Sequence, residues 1–100
     1  MPENYNASLR LAQALIAARR YEEALAACGR GLARVDGPLG RTWIHETEAQ
    51  AWLEKGRPDE ARQALDQATR SARSIVTASN RENNLKRIAR LKAETDRAAP

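Results

Sequence analysis

Apolar residues return every three or four positions through most of this chain, the spacing of one buried helical face. Leu9, Leu11, Ala12, Leu15 and Ile16 predict a first helix from about Asn6 to Arg19, with Asn4 or Asn6 as its cap. Ala24, Leu25, Cys28, Gly31 and Leu32 predict a second from Tyr21 to Val35, with Glu22 and Glu23 at the positive end of its dipole. The run Asp36-Gly37-Pro38-Leu39-Gly40 reads as its stop. Ile44, Ala49, Trp52 and Leu53 predict a third helix from Arg41 to Lys55. Gly56 and Pro58 then mark a tight turn, glycine suiting the position after a helix and proline the first position of the next. A long fourth helix keeps its period from Pro58 to about Val76, through Ala61, Ala64, Leu65, Ala68, Ala72 and Ile75. After a break near Ala78, Ser79 and Glu82 have the spacing of a capping box. A fifth helix carries Leu85, Ile88, Ala89 and Leu91 to about Asp96, and the final RAAP is expected to fray.

The first four elements repeat. Displaced by about 37 residues, Ala12-Gln13-Ala14 falls on Ala49-Gln50-Ala51, Arg20 on Arg57, Glu23-Ala24 on Glu60-Ala61, Cys28 on Leu65 and Gly31 on Ala68. Small residues meet small ones and large meet large. Each unit is then a helical hairpin with an apolar face that it cannot bury alone, and stacking two of them under a covering helix solves that problem. Ala12, Ala24 and Gly31, with Ala49, Ala61 and Ala68, are the small positions expected where helices cross closely. Gly31 costs about 1 kcal/mol of helix propensity against alanine, which a close backbone approach offsets.

These positions carry a family resemblance. Leu11, Ala12, Leu15, Tyr21, Ala24, Cys28 and Gly31 in the first unit, and Ala49, Trp52, Gly56, Ala61, Leu65 and Ala68 in the second, resemble the tetratricopeptide repeat. Glu48 departs from that pattern where a large apolar residue is usual, and Pro58 where tyrosine is usual. The spacing also exceeds the family's usual repeat of about 34 residues. The resemblance implies an all-α fold of antiparallel hairpins stacked as a short right-handed solenoid. Repeat one spans about 6–36, repeat two about 41–76, and a capping helix about 80–96 of a single domain over residues 1–100. It also implies a concave groove lined by the first helix of each hairpin and holding a segment of a protein or peptide partner. Carried over by register, the groove residues are Asn6, Leu9, Gln13 and Ile16, then Trp43, Glu46, Gln50 and Leu53. Gln13 and Gln50 stand at equivalent positions and suit a peptide backbone, and Trp43 suits an aromatic anchor. Family members that grip acidic C-terminal tails use a lysine and asparagines where this chain has Leu9, Gln13 and Thr47, so that clamp is not expected. The opening stretch is also similar to helical tails of some bacterial thioredoxin-fold proteins. As such a tail the chain lacks Cys-x-x-Cys and carries no redox chemistry of its own.

Composition narrows the function classes. One hundred residues suit one modest core. The absence of phenylalanine and the scarcity of β-branched residues argue against sheet. No apolar run approaches the roughly 20 residues that span a bilayer, and the opening MPENYN has no secretory-signal pattern. The cytoplasm is the expected compartment, or the periplasm if the chain belongs to a thioredoxin-fold parent. His45 and Cys28 are each the only residue of their type. Cys28 reads as a small core residue and His45 as a structural one, with no triad, phosphate loop or metal-ligand spacing around them. No enzyme activity, metal or cofactor is expected. The charge of +4 is uneven: about nine basic side chains face ten acidic ones up to Thr69, and eight face three from Arg70 onward. Arg70, Arg73, Arg81, Lys86, Arg87, Arg90 and Lys92 therefore raise an alternative, a basic helical domain associated with nucleic acid. The same segment lacks aromatics for base stacking, which weakens that alternative. Ile75, Val76, Leu85 and Leu91 raise a third reading, an apolar strip through which a homodimer forms.

Overall fold

A computed structural model describes residues 5–98. The fold is all-α, with five helices: α1 (Tyr5–Ala17), α2 (Tyr21–Arg34), α3 (Pro38–Glu54), α4 (Pro58–Arg73) and α5 (Ala78–Ala98). Each helix packs on the next. α3 also touches α1 and α5, while α1 and α5 do not touch one another.

The 37-residue register is visible in the backbone. α1 ends with Arg20 N–H donating to the Leu15 carbonyl (2.8 Å) and Arg19 N–H to that of Ile16 (2.9 Å). α3 ends with Arg57 N–H on Trp52 (2.8 Å) and Gly56 N–H on Leu53 (3.0 Å). Both are Schellman turns, which satisfy the last carbonyls of a helix and need a left-handed residue after it. Gly56 takes that conformation at φ 84°, and Arg19 takes it at φ 63° with a side chain attached. Arg20 and Arg57 then open α2 and α4 with matching backbone angles. Each arginine pairs with the glutamate three residues on, Arg20 with Glu23 and Arg57 with Glu60.

All six small crossing positions are buried. A Cβ on Gly31 would lie 3.1 Å from Ile44 Cδ1 and 3.2 Å from Ser8 Cβ, so its bare backbone admits both α3 and α1. Ile44 is 0 % exposed and belongs to a core cluster with Leu9, Ile16, Cys28 and Val35. A second cluster joins Leu65, Ala68, Ile75 and Ile88 between α4 and α5. Burying a side chain such as Ile44 or Leu65 stabilises the fold by about 1.5–3 kcal/mol.

Several boundaries differ from the sequence expectation. Pro38 starts α3 instead of helping to stop α2, because its fixed φ suits a first helical turn and Gly37 (φ 132°) makes the bend before it. Gly40 thus lies inside α3, where a Cβ would come within 2.6 Å of Val35 Cγ2 and 2.8 Å of the Tyr5 ring. α1 ends at Ala17, ahead of the turn at Arg19. Asn6 is inside α1, and Asn4 lies outside the described residues. α4 stops at Arg73, short of Val76. Three successive β-branched residues follow, Ile75-Val76-Thr77, whose restricted side chains disfavour helix. Arg81 Nη1 donates to the freed Ile75 carbonyl at 2.9 Å. α5 begins at Ala78, so Ser79 sits within its first turn. Of the predicted RAAP fray, Arg97 and Ala98 are helical, and residues 99–100 lie outside the described residues. The apolar strip does not form: Ile75 is buried, Leu85 and Leu91 pack on the second core cluster, and Val76 is left 91 % exposed by itself. No described helix is long and apolar enough to cross a membrane.

Candidate functional site

A groove of about 820 Å³ runs between α1, α3 and α5, within the range of about 300–1,000 Å³ typical of ligand pockets. Since α3 packs on both flanking helices, it forms the floor, with α1 and α5 as walls. α1 contributes Leu9, Gln13, Ile16 and Ala17. Their spacing of three and four puts them on one helical face. The floor is Trp43, Glu46, Thr47, Gln50 and Glu54 of α3, again one face. α5 supplies Arg87, Arg90 and Leu91.

Six of the eight sequence-derived positions meet here: Leu9, Gln13, Ile16, Trp43, Glu46 and Gln50. Asn6 and Leu53 are not among the lining residues. Asn6 is exposed in the first turn of α1. At about 100° per residue, Leu53 falls roughly 20° beyond Glu46 around α3, while Glu54 falls inside the arc. The residues of α5 were not anticipated because that helix reads as a cap. The missed signal is the repeat itself: the 37-residue displacement of Gln50 and Leu53 lands on Arg87 and Arg90.

A polar network joins the floor to the α5 wall. Trp43 Nε1 donates to Asn84 Oδ1 at 3.1 Å, and Arg87 Nη2 donates to the same oxygen. Asn84 Nδ2 donates to the Asn80 carbonyl at 2.7 Å. Arg87 Nε also reaches Glu46 Oε1 at 2.6 Å. The Glu46 side chain is 9 % exposed and that of Arg87 46 %, so the carboxylate is desolvated and the guanidinium keeps one side in water. A buried carboxylate needs such a partner. Trp43, the expected aromatic anchor, packs its ring on the first core cluster and gives its N–H to Asn84.

The other polar groups are more available. Gln50 Nε2 donates to Glu54 Oε2 at 2.6 Å. Gln13 is exposed, and its side chain makes no hydrogen bond to a described residue. Tyr21 Oη reaches Glu54 Oε1 at 3.5 Å, a weak contact.

Cys28 and His45 lie outside the groove lining. Burial, with the charge of Glu48 second, pushes the Cys28 thiol up to about 12, which makes it a poor nucleophile near neutrality. His45 Nδ1 lies 2.7 Å from Glu48 Oε1 in the same helix. Among the described residues no three His, Cys, Asp or Glu side chains are grouped to hold a metal ion. Comparison with protein-family models, with curated proteins and with solved structures gave no match for this chain.

Proposed function

We propose that this chain is a non-catalytic protein-interaction module, a short tetratricopeptide-like stack that binds a partner segment in its groove, as an adaptor or as the tail of a larger protein. The observation that carries this reading is the groove itself, whose lining unites six positions that the tetratricopeptide resemblance implies. The twin Schellman turns at Arg19 and Gly56 support a true repeat. The contacts of α1 and α5 with α3 fit a layer of first helices, with α5 in the place of a third. The groove sets half-buried Leu91 and the edges of buried Leu9 and Ile16 beside exposed polar groups, a mixture that interfaces use.

The nucleic-acid alternative draws less support. Arg81 serves a backbone carbonyl, Arg87 pairs with Glu46, and Lys92 pairs with Asp66 at 3.3 Å.

The test is capture of partners from nuclease-treated lysate by the wild-type chain and by Gln13→Trp. That variant fills the groove from an exposed position and leaves the core untouched. A protein held by wild type and lost by the variant is the expected result. Equal retention by both places the binding surface elsewhere and ends this reading.

A further inference from the structure

The groove carries four charges in two different situations. Glu46 and Arg87 neutralise one another across the floor. Arg90 and Glu54 are exposed and form no ion pair with any described residue. Arg90 stands on the α5 wall beside Leu91. Glu54 is the last residue of α3, at the negative end of the helix dipole, where a carboxylate is disfavoured and a cation is attracted. It accepts hydrogen bonds from Gln50 and Tyr21, but a carboxylate has lone pairs for further donors. The groove therefore combines apolar lining with one cation on α5 and one anion on α3 that no described side chain of opposite charge answers.

We propose that the occupant is an amphipathic segment of a partner protein. Its apolar residue packs against Leu91 and the exposed edges of Leu9 and Ile16, an acidic residue meets Arg90, and a basic residue meets Glu54. The inference rests on the groove reading above and adds the ligand's chemistry. Complementary charges of this kind set orientation and reject wrong partners more than they add raw affinity. A nucleic-acid strand fits poorly, since its repeated phosphates would meet Glu54 and the apolar surface as well as Arg90.

The test starts with a displayed library of random 12-residue peptides, selected on the intact chain. Winning sequences are then synthesised and titrated by fluorescence polarisation. The expected winners combine an apolar residue with an acidic and a basic one. Arg90→Glu should weaken them about tenfold, and exchanging the peptide's acidic residue for lysine should restore binding. Glu54→Lys should act likewise on the basic residue. Both positions are exposed, and circular dichroism confirms that the variants fold. Winners that Gln13→Trp abolishes but that ignore both charge reversals would overturn the proposed chemistry and leave the groove reading standing. Winners that still bind Gln13→Trp, or no winners at all, would overturn the groove reading and this inference together.

Discussion

The two hairpins are built on one backbone and filled differently. The turns at Arg19 and Gly56 share the same pair of hydrogen bonds, and Arg20 and Arg57 share the position before the next helix. At equivalent buried positions the first hairpin has Cys28 and Gly31 where the second has Leu65 and Ala68. The smaller pair has a cause in three dimensions: α2 must admit Ile44 of α3 and Ser8 of α1 against Gly31. α4 instead meets α5, whose Ile88 is buried alongside Leu65 in the second cluster. The repeat thus sets where helices turn, and the neighbour on the far side sets how large each buried residue is.

Equivalent substitutions in the two hairpins expose that difference. Leu65→Ala removes a 0 % exposed side chain and should cost about 2–5 kcal/mol in chemical denaturation. Cys28→Ala, at the matching position, should cost only about 1 kcal/mol, since it removes one sulfur atom. Equal losses would break the claim that the second core depends on larger side chains.

The turns should respond in opposite directions. Gly56→Ala places a Cβ on a left-handed residue and should destabilise by about 1–2 kcal/mol. Arg19→Gly relieves the same strain and should raise stability by up to about 1 kcal/mol. A loss at Arg19 would mean that its side chain contributes more than its conformation costs.

Gly31→Ala should change stability by less than about 1 kcal/mol, because better helix propensity opposes contacts at 3.1 and 3.2 Å. Thermal melting decides the sign, and the sign reports whether Ile44 and Ser8 can shift aside.

The smallest effect concerns the ion pair across the hairpins, Lys55 Nζ to Glu22 Oε2 at 2.9 Å. A hydrogen bond from Lys55, then its charge, holds the Glu22 carboxyl below its usual value. With the folded value depressed, this contribution is present above the unfolded value of about 4.3 and disappears as pH falls through the folded one. A side-chain NMR titration should show Glu22 returning to its ordinary value in Lys55→Met. Identical titrations would mean that the pair does not form in solution.

Much of the architecture is legible in order along the chain. The apolar spacing marks five helices, and Gly56-Arg57-Pro58 marks its turn because glycine and proline have strong local preferences. Six of the eight positions that the tetratricopeptide resemblance implied line the groove. Pro38 was harder to place, because proline both ends one helix and starts another; it opens α3 after the bend at Gly37. Arg19 gives no local sign of a left-handed turn, since arginine seldom takes one.

The sequence by itself therefore determined the helices, their 37-residue register and the face of each that is apolar, because those depend on neighbours within a turn or two. Only the tertiary structure decided what fills the groove's second wall. Trp43, Glu46, Asn84 and Arg87 lie up to 44 residues apart in number, yet they form one hydrogen-bonded group. Their burial and pairing depend on α5 closing over α3, a long-range contact that no local pattern encodes.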